Sequence, residues 1–80
     1  MIIMSQDKEK VINFERITEI MVVGKEIIIM DNIYKEHGES IGTYSTEERA
    51  KEVLMEMCFC YKDANTFRYV ANKMYRMPKE

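Results

Sequence analysis

The spacing of hydrophobic residues changes near residue 45, from a pattern typical of strands to one typical of a helix. All ten isoleucines fall within residues 2–41, whereas the single leucine is Leu54. Because β-branched side chains favour strands, the first half of the chain is predicted to form a sheet. The clearest signal is Arg16–Asp31, which is interrupted by Gly24-Lys25, a pair suited to a two-residue type II′ hairpin turn.

That turn sets the register of the predicted hairpin. It places Val23 opposite Glu26 and, with regular pairing, Thr18 opposite Asp31. One face of the hairpin is then entirely apolar and is predicted to face the core. The side chains on that face are Ile20, Val22, Ile27 and Ile29. The other face mixes apolar and acidic side chains: Glu19, Met21, Val23, Glu26, Ile28 and Met30.

Further strands are predicted on both sides of the central hairpin. A hairpin of Ile2–Ser5 and Lys10–Phe14 precedes it. Ile33–Lys35 is expected to extend the sheet as far as a turn at His37–Glu39, and Ser40–Tyr44 follows as a short strand. The expected result is a small antiparallel β-sheet, a meander of four or five strands.

A helix start follows directly on this sheet. Ser45-Thr46-Glu47-Glu48 has the pattern of a capping box, with Ser45 as the N-cap and Glu48 at the third helical position. The helix is predicted over Thr46–Tyr61, and its apolar stripe is expected to cover the Ile/Val face of the sheet. The stripe consists of Ala50, Val53, Leu54, Met57, Cys58 and Tyr61.

The pattern therefore predicts an α+β fold, with one main amphipathic α-helix packed on one face of the sheet. Residues 1–61 form this unit, and residues 62–80 are a short, basic and aromatic C-terminal extension of the same domain.

Two alternatives are open for the extension. It forms either a second short helix over Thr66–Met77 or an added edge strand at Phe67–Val70 or Met74–Met77. An extended end near Lys73–Met77 is favoured, because Pro78 biases the preceding residue toward extended geometry.

Composition limits the class of protein. Eighty residues with 46% hydrophobic and 32% charged side chains are typical of one small globular domain. The formal charge of −2 argues against a strongly basic nucleic-acid coat. No apolar run is long enough to span a membrane and no leader pattern begins the chain, so a cytoplasmic protein is expected.

The sequence offers little material for catalysis or metal binding. The one histidine, His37, lies in a predicted turn, and the three glycines are scattered rather than grouped in a phosphate loop. Cys58 and Cys60 point to different sides of the predicted helix, so they are expected to fill space rather than to share a metal. No catalytic residue, metal site or cofactor is predicted, and the protein is not expected to be an enzyme.

The extension carries the most suggestive charge pattern. Residues 61–80 have five basic and two acidic side chains, and aromatic residues alternate with the basic ones. Such interleaving can bind anions or single-stranded nucleic acid, although it more often reflects aromatics packed on a sheet with cations reaching solvent. The candidate ligand-binding side chains are Lys62, Arg68, Tyr69, Lys73, Tyr75 and Arg76.

Apolar side chains outside the predicted core indicate a protein interface. Met55 and Phe59 are four residues apart among the charges of the helix, on the side opposite its core stripe. Eight methionines in 80 residues also suit adaptable contact surfaces. We expect self-association or a protein partner through the side chains that the predicted fold leaves uncovered. The interface candidates are Met21, Ile28, Met30, Met55 and Phe59.

Three segments carry a resemblance: Ser5–Lys8, Ile41–Leu54 and the final Met77-Pro78. The middle segment contains a G-x-Y-x-[ST]-E-E-R-A box that runs from Gly42 to Ala50. In these segments the chain resembles a group of small, mostly uncharacterised proteins of Gram-positive bacteria and of their phages and prophages. The resemblance implies a last strand, a helix start and a phage or mobile-element setting, but no activity.

Together these features predict a non-enzymatic accessory protein that acts by binding. The leading hypothesis is a self-associating, phage-type protein in the host cytoplasm that inhibits a host defence system, either by occupying a host protein or by sequestering a small signalling nucleotide. The alternative is a nucleic-acid-binding accessory protein that uses the extension. Residues 1–60 carry seven basic and twelve acidic side chains, a net charge of −5, which argues against tight oligonucleotide binding.

Overall fold

The α+β fold class is confirmed by the computed structural model, which describes residues 1–31, 38–66 and 74–80. The strands lie in two three-stranded sheets rather than in a single meander. The elements are, in chain order, β1 (Ile2–Met4), β2 (Val11–Asn13), β3 (Ile17–Val23), β4 (Glu26–Asp31), β5 (Glu39–Thr43), α1 (Glu47–Thr66) and β6 (Met74–Arg76).

The first sheet has the order β2-β1-β6. Its strands β1 and β2 form the expected N-terminal hairpin, whereas β6 pairs with β1 in parallel, with Tyr75 opposite Ile3. The favoured extended end of the chain is therefore confirmed for Met74–Arg76. The proposed strand at Phe67–Val70 lies outside the described residues.

The second sheet has the order β3-β4-β5 and is antiparallel throughout. Ser40–Tyr44 was expected as its last strand, and β5 occupies nearly those positions. The expected extension of the sheet at Ile33–Lys35 lies outside the described residues, as does His37 in the proposed turn.

The turn between β3 and β4 sets the register as predicted for most of the hairpin. Gly24 has a φ of +62°, the left-handed value that a type II′ turn needs at its first central position. Val23 pairs with Glu26, but Asp31 pairs with Ile17 rather than with Thr18. This irregularity is the reason why Ile17 and Ile20, three positions apart, both pack against the core.

The helix α1 is longer than predicted and is rotated slightly from the predicted orientation. It continues to Thr66 because no glycine or proline interrupts residues 62–66. Ala50, Val53 and Met57 are fully buried, as predicted. The placement of Cys58 in the core stripe was wrong, because Cys58 is exposed. Cys60 instead packs against the core.

The predicted N-cap was also wrong by one residue. The Oγ1 atom of Thr46, not the hydroxyl of Ser45, accepts a hydrogen bond from the backbone N–H of Arg49 at 3.0 Å. The carbonyl of Thr46 accepts the first helical bond, from Ala50. Thr46 is therefore the cap, and Glu47 and Glu48 lie in the first turn, where the helix dipole favours acidic side chains.

Gln6 joins the two sheets. Its backbone N–H donates to the carbonyl of Ile41 at 3.0 Å. Its side-chain amide pairs with Thr43 in both directions, since Nε2 donates to the Thr43 carbonyl and Oε1 accepts from the Thr43 N–H, each at 2.7 Å. Nε2 also donates to the carbonyl of Lys79 at 2.8 Å. One side chain thus links the end of β1, the free edge of β5 and the C-terminal segment.

Removing the N-cap hydroxyl of α1 should destabilise the protein. We expect Thr46→Ala to lower the free energy of unfolding by about 0.5–2 kcal/mol, because the Arg49 N–H loses its acceptor. Ser45→Ala is the matched control and should change stability by less than about 0.5 kcal/mol. Urea denaturation of both variants checks this, and a larger loss in Ser45→Ala would place the cap one residue earlier.

Replacing the side-chain donor of Gln6 by an acceptor should also destabilise the protein. We expect Gln6→Glu to lower the free energy of unfolding by about 1–3 kcal/mol, because a carboxylate oxygen then faces two carbonyl oxygens. Protonation restores one donor, so the loss should shrink between about pH 7 and about pH 4. Urea unfolding at both pH values tests this against Gln6→Ala, whose stability should not recover in acid. A Gln6→Glu variant as stable as the wild type at neutral pH would contradict the role assigned to Gln6.

Candidate interaction surface

The outer face of α1 exposes two large apolar side chains. Met55 is 57% exposed and Phe59 is 60% exposed, on the side of the helix opposite Ala50, Val53 and Met57. The predicted exposure of both residues is confirmed. A shallow depression on this face is lined by Glu48, Lys51, Glu52, Met55, Glu56 and Phe59. We call these residues the outer helix face.

The packing of α1 explains why this face points outward. The buried stripe lies against β3 and β4, and Tyr61 reinforces it by stacking on Phe14, with ring centres 4.5 Å apart. Because residues 55 and 59 lie on the far side of the helix from this stripe, packing α1 on the sheet leaves them in solvent. This exposed pair is therefore the candidate contact surface of α1.

The other predicted interface side chains are less accessible. Met21, Ile28 and Met30 lie on the mixed face of the second sheet, and all three are half-buried. Gly38 lies so close to Ile28 that a Cβ atom added there would overlap its Cγ2. The mixed face is therefore a weaker candidate than the outer helix face.

A polar cluster borders the outer helix face on one side. The Nε and Nη2 atoms of Arg49 donate to the main-chain oxygen of Glu80 at 3.1 and 3.0 Å. Nη1 of the same guanidinium lies 3.0 Å from a carboxylate oxygen of Glu52 and 3.7 Å from one of Glu56. Arg49 thus attaches the C-terminal segment to α1 and orients two of the three carboxylates of the outer helix face.

Two buried tyrosines complete this cluster. The Tyr44 hydroxyl donates to the carbonyl of Pro78 at 2.8 Å, and the Tyr75 hydroxyl donates to Glu56 at 3.0 Å. Burial raises the pKa of Tyr44 to about 12. Burial and the hydrogen bond to Glu56 raise the pKa of Tyr75 well above its usual range. Both hydroxyls therefore stay protonated at neutral pH and act as donors that hold the structure together.

The predicted ligand-binding side chains of the extension are not gathered at one place in the described residues. Tyr75 is buried within the first sheet, whereas its neighbour Arg76 is exposed, as expected for adjacent residues of a strand. Lys62 is exposed on the last turns of α1. The remaining three candidates, Arg68, Tyr69 and Lys73, lie outside the described residues.

Within the parts of the chain that the structure describes, no group of three or more metal-ligating side chains comes together. In the same residues, the helix is not apolar enough over a sufficient length to cross a membrane. Comparison with protein families, with curated proteins and with solved structures finds no match to this chain.

Sequence reasoning missed the two residues that organise this region, Gln6 and Arg49. Arg49 had a partial signal, since Glu52 and Glu56 follow it at spacings of three and seven residues on one side of a helix. Its bond to Glu80 and all the side-chain bonds of Gln6 join positions more than 30 residues apart in sequence. No local pattern reports such contacts.

The buried Tyr44 predicts a loss of stability in alkali. Its folded pKa of about 12 exceeds the ordinary value of 10.0, so its contribution is complete below pH 10 and disappears as the pH rises from 10 to 12. Tyr44→Phe should be less stable at neutral pH, because the Pro78 carbonyl loses its donor, and should lose less stability across that window. Urea unfolding at pH values from 8 upward, with phenolate absorbance recorded in parallel, measures both effects. Parallel stability curves for the two proteins would contradict the pKa assigned to Tyr44.

Proposed function

We propose that this protein is a non-enzymatic interaction protein that self-associates through the outer helix face. The observation that carries the proposal is the exposure of Met55 and Phe59 on the side of α1 opposite the core. Aromatic side chains buried at the centre of an interface often contribute 2 kcal/mol or more, roughly, to binding. Burial in a contact would also remove apolar surface that a small chain cannot cover by itself.

The form of the surface supports binding rather than catalysis. The carboxylates of Glu48, Glu52 and Glu56 are exposed around a shallow, open depression, where water reaches them. Catalytic carboxylates generally need a concave, partly dehydrated site. A ring of charge around a small apolar centre is instead the usual arrangement of a protein contact.

The biological setting is proposed from the resemblance to phage and prophage proteins. In that setting the protein acts in the host cytoplasm as an accessory protein that inhibits a defence system by occupying a host protein. Sequestration of a nucleotide through the extension is less favoured, because Tyr75, one of its proposed stacking residues, is buried in the first sheet. The same observation weighs against the nucleic-acid alternative.

A single charged substitution at the centre of the outer helix face should abolish association. We expect the wild-type protein to sediment as a dimer or higher oligomer at about 100 µM and Phe59→Glu to sediment as a monomer, because the substitution places a carboxylate in the apolar centre. Analytical ultracentrifugation makes the comparison. Val11→Glu is the matched control, since Val11 is 61% exposed but lies on β2, and it should keep the wild-type mass.

Two results would overturn this proposal. One is a wild-type protein that stays monomeric up to about 500 µM, which would leave the exposed apolar pair without the proposed role. The other is equal loss of association in Phe59→Glu and Val11→Glu, which would show a general response to added charge. Thermal melts of both variants establish that they are folded at the temperature of the experiment.

A further inference from the structure

The outer helix face continues as a regular stripe along most of α1. Positions 48, 52, 55, 59 and 62 follow one another at steps of four, three, four and three residues. Alternating steps of three and four keep side chains in line on one side of a helix and are the spacing by which paired helices interlock. All five side chains on these positions are exposed. The stripe thus has the geometry of one half of a helix pair.

Charge is distributed unevenly along this stripe. Its N-terminal part carries Glu48 and Glu52, its centre carries Met55 and Phe59, and its C-terminal part carries Lys62. The acidic and basic parts lie on opposite sides of the apolar centre. A partner whose helix runs in the opposite direction with the same sequence would therefore match both the charges and the apolar residues.

We infer that the occupant of the outer helix face is a second copy of this chain, with the two α1 helices antiparallel. This inference rests on the proposed function and adds the partner, its direction and its register. The two-fold axis passes midway between residues 55 and 59, so Phe59 of each copy packs on Met55 of the other. Glu52 of each copy then lies opposite Lys62 of the other, and this ion pair occurs twice because the contact is symmetric.

The same charges disfavour the parallel arrangement. In a parallel pair each position faces its own equivalent, so Glu48, Glu52 and Lys62 would all lie opposite like charges. The antiparallel pair replaces the Glu52 and Lys62 repulsions with attractions, and it also places the positive end of each helix dipole beside the negative end of the other. The apolar centre is preserved because the contact of a methionine thioether with an aromatic ring is favourable.

Charge reversal tests the register directly. Glu52→Lys and Lys62→Glu each place like charges opposite one another at both symmetric positions, so each should raise the dimer dissociation constant at least about tenfold at low salt. The double variant Glu52→Lys/Lys62→Glu restores opposite charges and should return to within about threefold of the wild type. Sedimentation equilibrium between about 1 and 500 µM gives all four constants.

A recovery in the double variant would indicate contact between copies. Residues 52 and 62 lie ten residues apart on one helix, about 15 Å along its axis, which is too far for an ion pair within one chain. Nor can Lys62→Glu restore the bond between Arg49 and Glu52 that Glu52→Lys removes. Glu47→Lys is the matched control, because it changes the charge equally and breaks the pair with Lys51 at 3.4 Å but lies off the stripe. It should keep the wild-type dissociation constant.

The outcomes separate this inference from the proposed function. If Phe59→Glu dissociates the oligomer but neither single reversal weakens it, the antiparallel register is wrong and the proposed surface stands. If both reversals weaken the oligomer and the double variant does not recover, or if Glu47→Lys weakens it as much as Glu52→Lys does, the register is also wrong. If Phe59→Glu has no effect on mass, the outer helix face is not the contact and both proposals fall.

Discussion

The side-chain amide of Gln6 connects parts of the fold that no turn or helix connects. Within the described residues each sheet has three strands, and β1, β2 and β6 are three residues long. Sheets this small are marginal unless they pack on other elements or continue into further strands. By pairing with both backbone groups of Thr43, the amide of Gln6 takes the place of a strand at the free edge of β5. The hydrogen bonds of Gln6 therefore hold the two sheets together.

The C-terminal segment is the second element on which the two sheets depend. Its Met77 N–H donates to the carbonyl of Met4, and the Met77 side chain is buried. A Cβ atom at Gly42 would lie 2.7 Å from the Met77 Cε, so the absence of a side chain at Gly42 makes room for this methionine. Arg49 attaches the end of the segment to α1. The segment is thus part of the core. It also contacts Arg49, whose guanidinium in turn binds Glu52 and Glu56 of the outer helix face.

This arrangement gives a physical reason for the outward orientation of Met55 and Phe59. One side of α1 packs on the sheet through Val53 and Met57. On the adjoining side, Arg49 binds the C-terminal segment and Glu56 accepts a hydrogen bond from Tyr75. The side opposite Val53 and Met57 is then left to solvent. A protein with this arrangement can present a rigid helix face to a partner, which limits the entropy that binding costs.

Local patterns in the sequence were sufficient for the elements whose contacts are near in sequence. The Gly24 turn and the alternation of apolar residues determined the β3–β4 hairpin, and helical periodicity placed Met55 and Phe59 opposite the core. The sequence did not reveal the register irregularity at Thr18. There the Oγ1 atom of Thr18 donates a hydrogen bond to the carbonyl of Met30. This bond can form only once the two strands are paired, so no local pattern reports it. The cap at Thr46 was ambiguous because Ser45 and Thr46 both carry hydroxyl groups suited to that position.

The sequence by itself therefore determined the α+β class, the main hairpin and the two apolar residues of the outer helix face. Only the tertiary structure decided that the strands divide into two sheets, that β6 joins β1, and that Tyr75 is buried rather than available to a ligand. The physical reason is that strand partners are chosen by backbone hydrogen bonds, which any residue except proline can make. Bonds between Gln6 and Lys79, or between Arg49 and Glu80, depend on where distant backbone groups come to lie after folding, and no spacing along the chain encodes that position.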